Sequence, residues 1–153
     1  MTTGYQAMAE DEDQIRAGGL HGLPRLHTLD EVAELQRAVG RVYLRYSAGP
    51  AADTGTSRDK ESGCVLPGLS TNPVTPEPWW DRPAREWVAR QLCQYAHLAT
   101  GSNVGWLLTG TEVGRGPDCE PLLADTTALA VITDDCLEQA RAVYRTAFDP
   151  GRR

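Results

Sequence analysis

A chain of 153 residues with 41% hydrophobic and 24% charged side chains has the size and balance of one globular domain around one core, which excludes wholesale disorder and a membrane class. Its net charge of -6 is concentrated: Glu10, Asp11, Glu12 and Asp13 supply four negatives, leaving 15 basic against 17 acidic side chains elsewhere. A body so nearly neutral, without a Lys/Arg block, offers no footprint for a phosphate backbone, so nucleic acid is not an expected partner.

The basic residues are almost all Arg, with Lys60 the single Lys, and Ala, Gly, Asp and Val abound as GC-rich codons of actinomycete type produce. Met1 to Asp13 has neither the basic nor the apolar region of a signal peptide, and no run reaches the 18 apolar residues a membrane crossing needs, so a cytoplasmic protein is expected. Cys64, Cys93, Cys119 and Cys136 are scattered, without a C-x-x-C pair or a nearby His. Free thiols are therefore expected, with no metal site. Nor is there a dinucleotide or P-loop fingerprint, so no cofactor is expected.

Residues 1–22 are polar and aperiodic and read as an acidic disordered tail; the single α+β domain is expected over 23–150. Thr28 and Glu31 form a capping-box pattern, after which Leu29, Val32, Leu35 and Val39 recur at helical spacing up to Gly40. Arg41 to Tyr46 alternates as a strand, with Val42, Leu44 and Tyr46 on one face and Tyr43 and Arg45 on the other. From Ser47 to Trp79, five prolines among Gly, Ser, Thr and Asp predict a long irregular loop. Loops of this length in compact domains are usually functional or disordered, and its apolar stretches predict one folded onto the body.

Asp81 as cap and Pro83 in the first turn start a second helix, whose apolar stripe Trp87, Val88, Leu92, Tyr95 and Leu98 runs to Gly101. Strands are expected over Trp106 to Val113 and Ala128 to Ile132, joined by a polar connection from Gly114 to Pro121. Asp134 caps a last helix reaching Phe148. This order lacks regular strand–helix alternation. It predicts an α+β fold in which a small, mostly antiparallel sheet of about three to four strands is covered by three helices and carries a long Pro/Gly-rich loop.

Three places could carry chemistry. Ser57 to Gly63 crowds Arg58, Lys60, Asp59 and Glu61 with two hydroxyls; it either binds an anion or positions a base, or is a solvated turn whose charges pair together. Gly114 to Asp118 sets Arg115 between glycines, as an anion cradle does, though a plain turn has the same composition. Arg45, on a strand, either holds a ligand or pairs with a carboxylate. His97, late in its helix, reads as a packed or capping histidine.

Several segments together resemble a family of short actinobacterial proteins of unassigned function. They are Val42 to Ser47 with Gly49-Pro50, Ser57 to Asp59, Glu61 to Gly63, Leu66 to Ser70 with Asn72-Pro73, Trp79-Trp80, Trp87 to Leu92 and Gly114 to Pro121. The likeness runs from about Leu23 to Tyr144 and departs at Lys60, where an aromatic is usual, and at Cys119, where Asn is usual. This family is in turn similar to the small subunit of the two-protein enzymes that close an aziridine ring in azinomycin-type and vazabitide-type antibiotic biosynthesis. That likeness implies a larger partner subunit, a carrier-protein-bound amino acid substrate, and displacement of a sulfate by an amine of the same molecule. If the chain contributes to the site, Arg45, Arg58 or Arg115, with Ser70, would hold the anion and Asp59, Glu61 or Glu120 take the amine proton; the alternative is that it only buttresses a site built by its larger partner. An interface would use Leu69, Trp79 and Trp80. Two other readings stay open: a stand-alone ADP-ribosyl-type transferase using Arg45, Ser70-Thr71 and Glu112 or Glu120, and a non-catalytic ligand-binding or regulatory module.

Overall fold

A computed structural model describes residues 15–16, 18–53, 56–59 and 61–148. In chain order the elements are β1 (Arg25–Leu26), α1 (Leu29–Val39), β2 (Tyr43–Ser47), β3 (Leu69–Ser70), β4 (Asn72–Pro73), α2 (Ala84–Gln94), a 3-10 turn (Ala96–Leu98), β5 (Val104–Arg115), β6 (Pro121–Ile132) and α3 (Asp134–Phe148). The sheet runs β1-β6-β5-β2-β4, with β3 also on β6; the β1–β6 pair is parallel and the other pairings are antiparallel.

The α+β class and the three helices agree with expectation, while the strand count is six rather than three or four. The three additional strands are two residues long, too short to show a period of two. Thr28 caps α1 by accepting from the Glu31 amide at 3.1 Å, and Glu31 in turn accepts from the His27 amide at 3.0 Å. At its other end Gly40, at φ +96°, donates its N–H to the Gln36 carbonyl at 2.7 Å.

α2 differs in both ends from the expected helix. Pro83, not Asp81, stands at its start, and the α-helix stops at Gln94, the remainder tightening into the 3-10 turn. The β5–β6 hairpin is longer than expected. It takes in Gly114, Arg115 and residues 121–127, because ladder hydrogen bonds continue past the apolar alternation: Gly114, Arg115 and 125–127 are exposed, while Pro121, Leu122 and Leu123 are buried as an unbroken run that shows no period of two.

Two cores lie on opposite faces of the sheet, as the alternation of β2 requires. Val42 and Leu44 join Leu29 and Val32 of α1, Val88 and Leu92 of α2, and Leu137 and Ala140 of α3. Tyr43 faces the other way, among Trp106, Leu108, Leu123 and Val131, and there Ile15 and Leu20 provide cover. Residues 15–22 are therefore not all tail. Ile15 and Leu20 are buried, and Gly18 lies so near the Ala48 carbonyl that a Cβ would stand 1.5 Å from its oxygen. The acidic run Glu10 to Asp13 lies outside the described residues.

Candidate functional site

β4 ends after two residues, so Arg45 and Tyr46 of β2 lie beyond its register, at the margin of the sheet. There the long loop, Tyr95 and the 3-10 turn that follow α2, and the β5–β6 turn surround a recess of about 810 Å³. Of the seven polar residues expected at a site, Arg45, Arg58, Asp59, Glu61, Ser70 and Glu120 line it. Arg115 does not; it is exposed, donates to the Cys119 carbonyl at 3.1 Å and pairs with Glu112 at 3.8 Å.

Arg45 is committed to structure. Its Nε and Nη2 donate to the two carboxylate oxygens of Asp53 at 2.9 and 3.1 Å, and its Nη1 donates to the Ser70 carbonyl at 2.8 Å and the Ser57 hydroxyl at 3.4 Å. A guanidinium fork matched to a carboxylate and two further acceptors has little left for a ligand. Asp53 also accepts from the Ser47 hydroxyl at 2.9 Å, which itself accepts from the buried Trp106 indole at 2.9 Å.

Arg58 is exposed and donates to the Gly63 carbonyl at 2.7 Å. Asp59 closes the same turn, accepting from the Ser62 hydroxyl at 2.6 Å and the Ser62 amide at 3.2 Å. The Ser62 hydroxyl, then its amide, holds the Asp59 carboxyl below its ordinary range. That makes Asp59 a poor proton acceptor. Its neighbour Glu61 is exposed at the rim, and Lys60 lies outside the described residues.

The glycine-flanked turn is a cradle for an anion that belongs to the chain itself. Glu120 accepts from the Asp118 amide at 2.9 Å through Oε2 and from the Ser70 hydroxyl at 3.3 Å through Oε1. A Cβ on Gly116 would lie 1.7 Å from Oε1 and 2.3 Å from the carboxyl carbon, so only Gly leaves the carboxylate room. The ring is closed by the Gly116 amide donating to the Glu120 carbonyl at 2.9 Å. Cys119, at φ +61°, occupies the left-handed position.

Sequence reasoning missed Asp53 and Tyr95. Asp53 stands alone in an Ala/Gly stretch and becomes meaningful only opposite Arg45, while Tyr95 counted as part of an apolar stripe. Burial, then the Asp118 and Glu120 charges, pushes the Tyr95 phenol up. Among the described lining residues, Arg45 and Arg58 oppose Asp53, Asp59, Glu61, Asp118 and Glu120, and Leu44, Tyr46 and Leu98 add apolar wall. With Asp53 neutralised by Arg45, the surplus is negative. Among the described residues, such a lining suits a cation on an apolar stem better than a free anion.

The other expectations divide. Glu112 is outside the recess: it accepts from the Tyr43 hydroxyl at 2.8 Å and pairs with Arg41 at 3.4 Å. Leu69, expected on an exposed patch, is 1% exposed because β3 turns it into the second core against Leu123. Trp79 is 68% exposed, and its ring meets Trp87 edge-on at 5.5 Å, with Trp80 5.1 Å from Trp87. His97 is exposed beside Tyr95. Among the described residues no three His, Cys, Asp or Glu are grouped to hold a metal ion, and no helix is long and apolar enough to cross a membrane.

A family described as a "Family of unknown function (DUF6098)" matches residues 19–152. The chain belongs to that family. The match covers the Arg45–Asp53 pair, the long loop and the Glu120 turn, so the whole recess lies inside it. No curated protein and no solved structure matches the chain.

Proposed function

We propose that this chain is the small subunit of a two-protein enzyme of actinomycete specialised-metabolite biosynthesis, and that its recess holds the amine end of a carrier-bound amino acid while a ring is closed. The carrying observation is the convergence of Glu120, Ser70 and Asp118 in a recess with surplus negative charge. In aziridine formation the amine nitrogen attacks the carbon bearing a sulfate ester, the C–O bond breaks, and sulfate leaves with the bonding electrons. The ammonium proton passes to a carboxylate, and Glu120 is the lining carboxylate held by hydrogen bonds from two different segments. Because Arg45 is already paired, the sulfate end belongs to Arg58 or to the larger subunit. Holding the amine in line contributes through orientation, which reaches about 7–11 kcal/mol in the most favourable intramolecular cases.

The test is co-expression with a candidate larger subunit taken from the neighbouring genes, followed by gel filtration and assay of sulfate release from a vicinal amino sulfate ester. A stable complex that releases sulfate is expected. Glu120→Gln should keep the complex while losing about 100-fold or more in rate, the usual contribution of a positioned acid–base group. A chain that stays apart from its neighbour, with no sulfate released, contradicts the proposal.

One observation favours a second reading, ADP-ribosyl transfer. Arg45, Ser70 and Glu120 form a hydrogen-bonded series, the Arg45 guanidinium to the Ser70 carbonyl and the Ser70 hydroxyl to Glu120. The negative lining opposes a dinucleotide diphosphate, which places this reading second. Release of nicotinamide from a nicotinamide dinucleotide by the purified chain would reverse the order.

A further inference from the structure

Side chains help to hold the long loop in place. Between β2 and β3 its described residues form no named strand; they carry the isolated bridge between Arg58 and Val65 and backbone bonds such as Ser57 N–H to the Gly68 carbonyl at 3.0 Å and Leu66 N–H to the Ser57 carbonyl at 2.6 Å. One continuous series of hydrogen bonds nevertheless runs from beneath the sheet to the mouth of the recess. The Trp106 indole donates to Ser47, Ser47 donates to Asp53, and Asp53 receives the Arg45 fork. The same guanidinium reaches Ser57 and the Ser70 carbonyl, the Ser57 hydroxyl accepts from the Ser70 amide at 2.8 Å, and the Ser70 hydroxyl donates to Glu120. Arg45 is thus the one side chain in the series that bonds the near wall, at Asp53, and the far wall, at Ser70.

We propose that Arg45 is a positioning residue: it ties β2 to both walls of the recess and so fixes the Ser70 hydroxyl that orients the Glu120 carboxylate. This rests on reading the recess as the functional site and adds the device that shapes it. The guanidinium is 20% exposed and the Asp53 carboxylate 12%, so the pair is shielded enough to be held rather than exchanged with water. The planar fork matters as much as the charge. A Lys at this position could keep an ion pair with Asp53, but a single ammonium cannot also span Ser57 and the Ser70 carbonyl in the same plane.

The test uses nitrogen–proton NMR spectra of the full chain, as wild type and as Arg45→Lys, Arg45→Met and Ser70→Ala. Two signals are read: the Trp106 indole N–H for the Asp53 end and the Asp118 amide, which donates to Glu120, for the far end. Ser70→Ala should move the Asp118 amide and leave the Trp106 indole in place. Arg45→Met should move both, and Arg45→Lys should restore the indole signal alone. Binding of phenethylamine should weaken at least tenfold in Arg45→Met and in Arg45→Lys. Should Arg45→Met fail to fold, the Lys and Ser70 variants still decide the matter. An Arg45→Lys protein with the wild-type Asp118 signal and wild-type amine affinity would overturn the proposal, as would an Arg45→Met protein that merely melts lower with both signals unmoved. The two signals are read without any ligand, so they stand or fall separately from the subunit and amine readings.

Discussion

Cys119 pays for the shape of the Glu120 turn with a backbone conformation that costs an L-residue about 1–2 kcal/mol and that Asn tolerates. Cys119→Asn should therefore raise unfolding free energy by on the order of 1 kcal/mol in urea titration. Gly116→Ala should behave differently. The added Cβ meets the end of a flexible side chain rather than backbone, so the carboxylate moves aside and stability changes by less than about 1 kcal/mol. What should change is the Asp118 amide signal, as its bond to Glu120 is lost, and with it amine binding. Glu112 supplies the pH prediction. The Tyr43 hydroxyl, and then the Arg41 and Arg115 charges, hold its carboxyl below the usual range against partial burial. A depressed folded value contributes stability that is present above the unfolded carboxylate range and is lost as pH falls through the folded one. Melting temperature followed from pH 7 downward should fall on this account, and Glu112→Gln should flatten that acid limb.

At the level of elements, the N-terminal stretch that covers the second face is the feature with the largest structural consequence. Leu20 is fully buried among Tyr43, Leu69 and Trp106, so Leu20→Ala should cost about 2–5 kcal/mol, as buried Leu truncations do. Gly18→Ala should cost about 3 kcal/mol, because its clash is with backbone that cannot turn aside. Neither effect was legible in the sequence: Ile15 and Leu20 stand alone among Gly, Arg and Asp, and two apolar residues five apart show no period. The three helices were legible because stripes such as Leu29, Val32 and Leu35 repeat, and the capping box at Thr28 marks a start. The outer half of the hairpin was not, since the exposed side chains of Gly114, Arg115 and 125–127 carry no hydrophobic pattern and the buried run Pro121, Leu122 and Leu123 does not alternate. For the recess, composition named the right segments. It left Arg45 open between a ligand and a carboxylate, because the carboxylate it meets, Asp53, announces nothing by itself.

Over the whole molecule, the sheet is covered by helices on one face and by the N-terminal residues and Leu69 on the other, leaving its short-β4 margin for the recess. The exposed indole of Trp79 lies apart, edge-on to a buried Trp87 whose own indole donates to the Pro73 carbonyl at 3.0 Å. Trp79→Ala should thus change stability by less than about 0.5 kcal/mol while weakening any complex with a larger subunit, whereas Trp87→Ala should cost about 3–5 kcal/mol. The reading of the recess as an amine site is tested most directly by titrating the isotope-labelled full chain with phenethylamine and, separately, with phenylpropionate. Saturable shifts confined to Ser70, Tyr95, Asp118 and Glu120 with the amine, none with the carboxylate, and their loss in Glu120→Gln are the expected results. Shifts at those residues with the carboxylate and none with the amine would contradict it.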